Sequence, residues 1–181
     1  MSEPDSDESF LGELRSAVGT VARRLESDGY GAGDVAELRR ISPEEPYTPA
    51  LWKVMEDLDL RETPYWLSED ERETRWAALL MGMAMTTGLH EFDRPLGSAL
   101  AEAGWSELRF VRLMRADGER LIEEVRRMAQ YLSSKEEAAD WTDVGKIVFS
   151  QTGEYAEEYR RDVARDYYSA LYRQENQEAA E

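Results

Sequence analysis

The segment that most constrains this chain is Ser68-Glu69-Asp70-Glu71 followed by the apolar run from Trp76 to Met85. A serine with glutamate three residues later is a capping box, in which each side chain satisfies a free backbone N–H at a helix start. The helix it opens, to about Thr87, is apolar nearly all round from Trp76 onward, broken only by Gly82. Such a helix needs neighbours on every side, so it predicts the centre of a helical assembly. Met81, Met83 and Met85 read as core filler, because flexible thioethers fill irregular gaps. The run has ten residues, far short of a membrane span.

The rest of the chain supplies helical neighbours. Residues 1–8 read as a disordered acidic tail. Ser9 caps a helix to about Glu26, with Phe10, Leu14, Val18, Val21 and Leu25 on one face. The glycine-rich stretch from Ser27 to Gly33 lacks the Lys-Ser/Thr of a phosphate loop and follows no strand, so it is a turn. Asp34 caps a helix from Val35 to Ile41, which Ser42-Pro43-Glu44-Glu45-Pro46 breaks. Thr48-Pro49, a cap followed by proline in the first turn, starts a helix to about Leu58 carrying Leu51, Trp52 and Met55. A loop over Thr87 to Asp93 follows the central helix. Pro95-Leu96-Gly97 leads into a short helix that Gly104 ends, and Ser106 caps the next, over 107–116. Gly118 precedes a helix over 119–132 with Leu121, Val125, Met128 and Leu132 inward. Trp141 starts a helix to Ser150, and Gly153 precedes a last one from Glu154 to about Arg173. The polar residues 174–181 form a frayed tail. No segment alternates as a strand does. The expectation is an all-α fold of two small helical bundles, 9–93 and 94–173, joined by a short loop.

Composition removes most catalytic chemistries. There is no cysteine, which excludes disulfides, thiolate metal sites and cysteine nucleophiles. His90 is the only histidine, which excludes sites needing two, such as zinc-binding HExxH. It falls in the predicted loop beside Glu91 and Asp93 and reads as structural or simply exposed. The 39 carboxylates are too many to single out a catalytic pair; they read as solvated faces. No cofactor, metal or enzymatic activity is expected, and a hydrolase would need carboxylates converging in a pocket. The acidic N-terminus lacks the parts of a signal peptide, so the expected location is the prokaryotic cytoplasm.

The formal net charge is −17, with 19 arginines against three lysines. Two readings of that bias stand side by side: a salt-rich cytoplasm, or a GC-rich genome writing arginine for lysine. A net −17 repels nucleic acid at ordinary ionic strength. At roughly 1 M salt the Debye length is about 3 Å, and only groups in contact count.

One stretch runs against this charge. Arg109, Arg112 and Arg115 recur every three residues, with no acid between Leu108 and Ala116. On a helix they sweep about a third of the circumference, while Phe110, Val111 and Met114 are expected to face the core. The ridge points to an anionic partner, or alternatively to an acidic helix of a partner protein. Other arginines have local explanations, as in the i,i+4 pairs Glu123 with Arg127 and Glu157 with Arg161. Glu119 is placed to meet Arg115. Five of nine tyrosines, Tyr155, Tyr159, Tyr167, Tyr168 and Tyr172, lie in the last helix. Tyr155, Tyr159 and Tyr167 are expected to pack along a stripe with Val163 and Leu171. Exposed tyrosines have another use, stacking on bases.

An ordered set of segments resembles the CasB family, the small subunit of the type I-E CRISPR surveillance complex Cascade. The matching segments are Ala36-Glu37-Leu38-Arg39-Arg40, Leu96-Gly97-Ser98-Ala99-Leu100-Ala101, Arg112-Leu113-Met114-Arg115-Ala116-Asp117, Val125-Arg126-Arg127 and Asp140-Trp141. Their order and spacing agree over about residues 30–172. The resemblance implies an all-helical, non-catalytic subunit present as a head-to-tail pair beside other Cascade subunits. It also implies contact with crRNA and the target DNA, and a role in holding the displaced strand. By position, the implied nucleic-acid contacts fall on Arg39, Arg40, Arg112, Arg115, Arg126 and Arg127, joined by Arg109 of the ridge and by Lys146. The family is basic around its last loop; here that loop, Gln151 to Glu158, reads acidic, with Lys146, Arg160 and Arg161 flanking it. The competing expectation is a pure protein-interaction scaffold whose arginine ridge docks on acidic partner helices.

Overall fold

The computed structural model describes residues 4–150 and 154–180. Among them are nine helices: α1 (Pro4–Glu26), α2 (Ala32–Arg40), α3 (Pro49–Asp57), α4 (Glu69–Met85), α5 (Leu96–Glu102), α6 (Glu107–Arg115), α7 (Gly118–Lys135), α8 (Trp141–Phe149) and α9 (Glu154–Ala179). No strand forms among the described residues. The one β-type contact is an isolated parallel bridge between His90 and Ala139. No helix of the described residues is long and apolar enough to cross a membrane.

The chain folds around α4. Ser68 accepts from the Glu71 N–H at 3.3 Å, and the Glu71 carboxylate accepts from the Ser68 N–H at 3.1 Å, closing the capping box. From Trp76 to Ala84 every residue of α4 is buried. Around it pack α1, α2, α3, α7 and α8. α7 and α8 come from beyond residue 93, so the coat of α4 draws on both expected segments, 9–93 and 94–173. One apolar cluster runs from Phe10 to Ala170. A helix apolar on every side cannot be covered by the first three helices alone, so the second half completes its coat.

Several boundaries differ from expectation for local reasons. α1 opens at Pro4, not Ser9, so most of the expected tail is helical. Proline suits the first helical position. α2 begins at Ala32 with Gly31 as its N-cap. Asp34 lies in its first turn and pairs with Lys53 at 2.8 Å. α9 continues to Ala179 instead of fraying after Arg173, since Gln, Glu and Ala are strong helix formers. Residues 1–3, Gln151–Gly153 and Glu181 lie outside the described residues, and the acidic part of the expected last loop, from Glu154, belongs to α9. The start at Thr48-Pro49 holds as read, with Thr48 accepting from the Leu51 N–H at 3.3 Å.

His90 links two segments of the fold. Its Nδ1 accepts the Trp141 N–H at 3.2 Å, joining the loop after α4 to the start of α8. Its other ring nitrogen is buried without a partner. Burial, the largest influence, holds the imidazole below its ordinary 6.5, against an opposing pull from Asp140. The fold therefore prefers the neutral ring. Its contribution is complete above pH about 6.5 and is lost as pH falls below that value, because a protonated Nδ1 cannot accept. Asp140, raised by its own burial, has the opposite sign. Thermal melts between about pH 7 and pH 5 should show a falling midpoint. The fall should be shallower in His90→Gln, whose amide oxygen accepts without titrating. Parallel curves would remove His90 as the source.

Candidate nucleic-acid interface

The ridge on α6 exists because the other side of that helix is fixed. Phe110 stacks on Tyr167 of α9, with centroids 4.1 Å apart and planes at 6°. Tyr167 in turn donates its hydroxyl to the Trp105 carbonyl at 2.5 Å. Burial pushes the Tyr167 phenol up to about 12, so it stays a donor at any physiological pH. Leu113 is the second buried anchor. It takes the place expected for Val111 and Met114, which are only half-buried. For Val111 the reason is angular: Phe110 and Leu113, three apart, share a face, whereas Val111 is turned 100° from Phe110 on the side away from Leu113; Met114, on the Phe110 side, still packs against the core. Arg109, Arg112 and Arg115 are all exposed.

Within the ridge the three arginines differ. The Arg109 guanidinium lies over the Trp105 ring at 5.3 Å and the Tyr131 ring at 5.8 Å. Tyr131 also faces Lys135, at 5.6 Å, so the cationic surface extends onto α7. Sequence reasoning missed Lys135, although its place one turn after Tyr131 was a readable signal. Arg112 and Arg115 have no ion-pair partner among the described residues, and the pair expected between Arg115 and Glu119 does not form. Leu108, one turn before Arg112 on the same side of α6, is 64% exposed.

The remaining candidates are mostly engaged elsewhere. Arg39 donates to the Ala84 carbonyl at 2.8 Å and to Thr87 at 3.5 Å, tying α2 to the end of α4. Arg126 donates to the carbonyls of Arg39 (3.0 Å) and Ile41, satisfying the open C-terminal end of α2 from α7. Arg127 pairs with Glu124 at 2.5 Å and with Glu123 at 3.5 Å. Lys146 pairs with Asp143 at 3.4 Å and faces the Tyr159 ring. Arg40 is exposed at the end of α2, beside the Arg126 contact. Arg39, Arg40, Arg109, Arg112, Arg115 and Arg127 are all exposed, but Arg39, like the half-buried Arg126, joins helices, and Arg127 is ion-paired.

The carboxylates make no comparable site. Around the groove on α3 and α4, Glu56 pairs with Arg61 at 3.2 Å and Asp57 with Arg24. Beside α7, Glu71 is held by Ser68 in the capping box. No cluster of three or more potential metal ligands occurs among the described residues.

The fold has relatives of known structure. CasB from Thermobifida fusca matches with a TM-score of 0.66 at 18% identity, covering 87% of this chain and 97% of that one. CasB from Thermus thermophilus matches with a TM-score of 0.61 at 24% identity, covering 94% and 100%. A chain of E. coli Cascade bound to a PAM-containing dsDNA target matches with a TM-score of 0.63 at 18% identity, covering 85% and 95%. No curated protein matches the sequence significantly. The sequence model of CRISPR-associated protein Cse2 matches residues 34–168, from α2 through α6 to Tyr168 of α9, and the chain belongs to that family.

Proposed function

We propose that this chain is a non-catalytic small subunit of a Cascade-type RNA-guided complex in a prokaryotic cytoplasm, and that its α6 ridge contacts nucleic-acid phosphates. The carrying observation is the pair Arg112 and Arg115, exposed and without ion-pair partners on a helix anchored by Phe110 and Leu113. The planar guanidinium grips phosphate through two parallel hydrogen bonds. In RNA-guided recognition, base pairing reads the sequence and such a subunit reads the backbone. The similar E. coli chain belongs to a Cascade holding double-stranded target DNA, which supports crRNA, target DNA and other Cascade subunits as partners; a second copy, head to tail, is part of this proposal on the family resemblance alone. Contacts from Arg40 and Arg109 fit the same surface. Arg39, Arg126, Arg127 and Lys146 would have to give up their present partners.

The test is Arg112→Glu with Arg115→Glu in the assembled complex. The fold should hold, since exposed substitutions usually change stability by within about 0.5 kcal/mol. Strand binding should weaken. The slope of log K against log salt should shrink by about 1.8 on duplex DNA, or about 1.4 on a single strand. An unchanged slope with the subunit retained would show that the ridge touches no phosphate. Leu108, exposed within the ridge, favours a second reading in which the ridge docks on a partner protein. In that case the double variant leaves the complex on gel filtration. Because the whole chain carries −17, the isolated subunit should bind nucleic acid weakly and without sequence preference.

A further inference from the structure

The outer side of α9 carries a second surface that the α6 ridge does not explain. Arg161, Arg165, Tyr168 and Tyr172 are spaced four, three and four residues apart, so they form one stripe within about 60° of the helix circumference. All four are exposed, Tyr172 by 67%. The buried residues of α9, Ala156, Val163, Tyr167 and Ala170, lie on the opposite side. With Ala164, Ser169 and Arg173 the stripe forms an open face of α9 that itself contains no acid, although the chain as a whole is strongly acidic and Asp162 and Glu107 lie at its edges. The pair between Arg165 and Asp162, at 3.2 Å, is at the surface, where such pairs contribute little and exchange readily.

Core packing explains Tyr167, not its neighbours. Tyr168 is positioned edge-on by Phe110 (6.1 Å) and Tyr167 (5.3 Å), and it donates to Glu107 at 2.8 Å. Its ring is held in place and still 43% exposed. Those contacts also set the stripe directly beside α6. Tyr172 follows one turn later, a rise of about 6 Å.

We propose that this face of α9 is a stacking platform for single-stranded nucleic acid, Tyr168 and Tyr172 receiving bases while Arg161 and Arg165 meet the phosphates. The proposal rests on the reading of α6 as a phosphate-contacting surface, because it places a strand alongside it. It commits to a single strand for a physical reason. Paired bases hide their faces in the duplex, so exposed tyrosine rings gain little from it. Unpaired bases stack on aromatic side chains whatever their sequence, with arginine alongside for charge.

The test uses the full chain at low salt with two probes, a short oligothymidylate and a hairpin duplex of equal phosphate number. The wild type should prefer the oligothymidylate. Tyr168→Leu with Tyr172→Leu should weaken that binding by about ten-fold or more, leave the salt slope unchanged, and leave duplex binding unchanged. Tyr172→Ala alone, at a position with no packing role, should show part of the same loss, so a folding defect cannot imitate the result. Arg112→Glu with Arg115→Glu should instead flatten the salt slope on both probes. If the arginine pair acts and the tyrosine pair does not, the α9 proposal fails while the α6 reading stands; the reverse result sinks the α6 reading alone. Equal binding of both probes by the wild type, no binding of either, or an oligothymidylate affinity untouched by the tyrosine pair would each overturn the platform.

Discussion

Replacing Gly97 by valine should destabilise the protein by about 3 kcal/mol, the upper end of what overpacking usually costs. α5 lies against α9 so closely that a Cβ on Gly97 would stand 2.7 Å from the Tyr167 nitrogen and 2.9 Å from the Asp166 Cβ, and would strike the Val163 carbonyl oxygen. Two of these three obstacles are backbone atoms of a helix, which cannot turn aside as a side chain can. α9 must therefore lift. The same stretch of α9 carries Tyr167, which stacks on Phe110 and bonds the Trp105 carbonyl. Lifting it loosens the seat of α6 and so the ridge. Gly97→Ala should be milder, at about 1–2 kcal/mol. Urea unfolding measures both, and quenching of the tryptophans reports whether Trp105 becomes accessible. Wild-type stability in Gly97→Val would mean that α5 and α9 are not in this contact.

Gly97 belongs to the Leu96–Ala101 segment that carried part of the family resemblance, and its role illustrates what a sequence shows and withholds. The capping box at Ser68, the start at Thr48-Pro49 and the all-round apolarity of α4 were legible because each is local chemistry within one turn or two. The close approach at Gly97 was not, because it depends on which helix arrives opposite. The same holds for the arginines. Arg112 and Arg115 were readable as unusual because acids are missing from their own helix. Arg126, beside Arg127, had a local explanation in helix ion pairing, yet it spans from α7 to the carbonyls that end α2, a partner 85 residues away in the chain. Among the tyrosines, the expected stripe held for Tyr167 with Val163, while Tyr155 is 41% exposed. A period of four drifts round a helix by 40° per step, so a stripe several turns long does not stay on one face.

The division into two bundles is best tested where the halves interlock, at Gly82 of α4 and Trp141 of α8. Trp141 is buried to 1%, and its six-membered ring lies so near α4 that a Cβ on Gly82 would come within 2.5 Å of it, and within 3.1 Å of Val125 on α7. Glycine interrupts the apolar run because tryptophan occupies the space. Trp141→Ala should therefore cost about 3–5 kcal/mol by opening a large cavity. Gly82→Ala should cost about 1–3 kcal/mol by overpacking, since a rigid buried ring has little room to move. Combined with Trp141→Phe, whose smaller ring vacates the clash, Gly82→Ala should lose most of its cost. The cycle then gives a coupling of about 1–2 kcal/mol, the size expected for residues in contact. Two independent bundles would behave otherwise. Each substitution would destabilise only its own half, the two costs would add, and unfolding would split into two transitions. A single transition, shifted as a whole by either change, is the result a shared core requires: the ridge on α6 is then held by the same cooperative unit that buries α4.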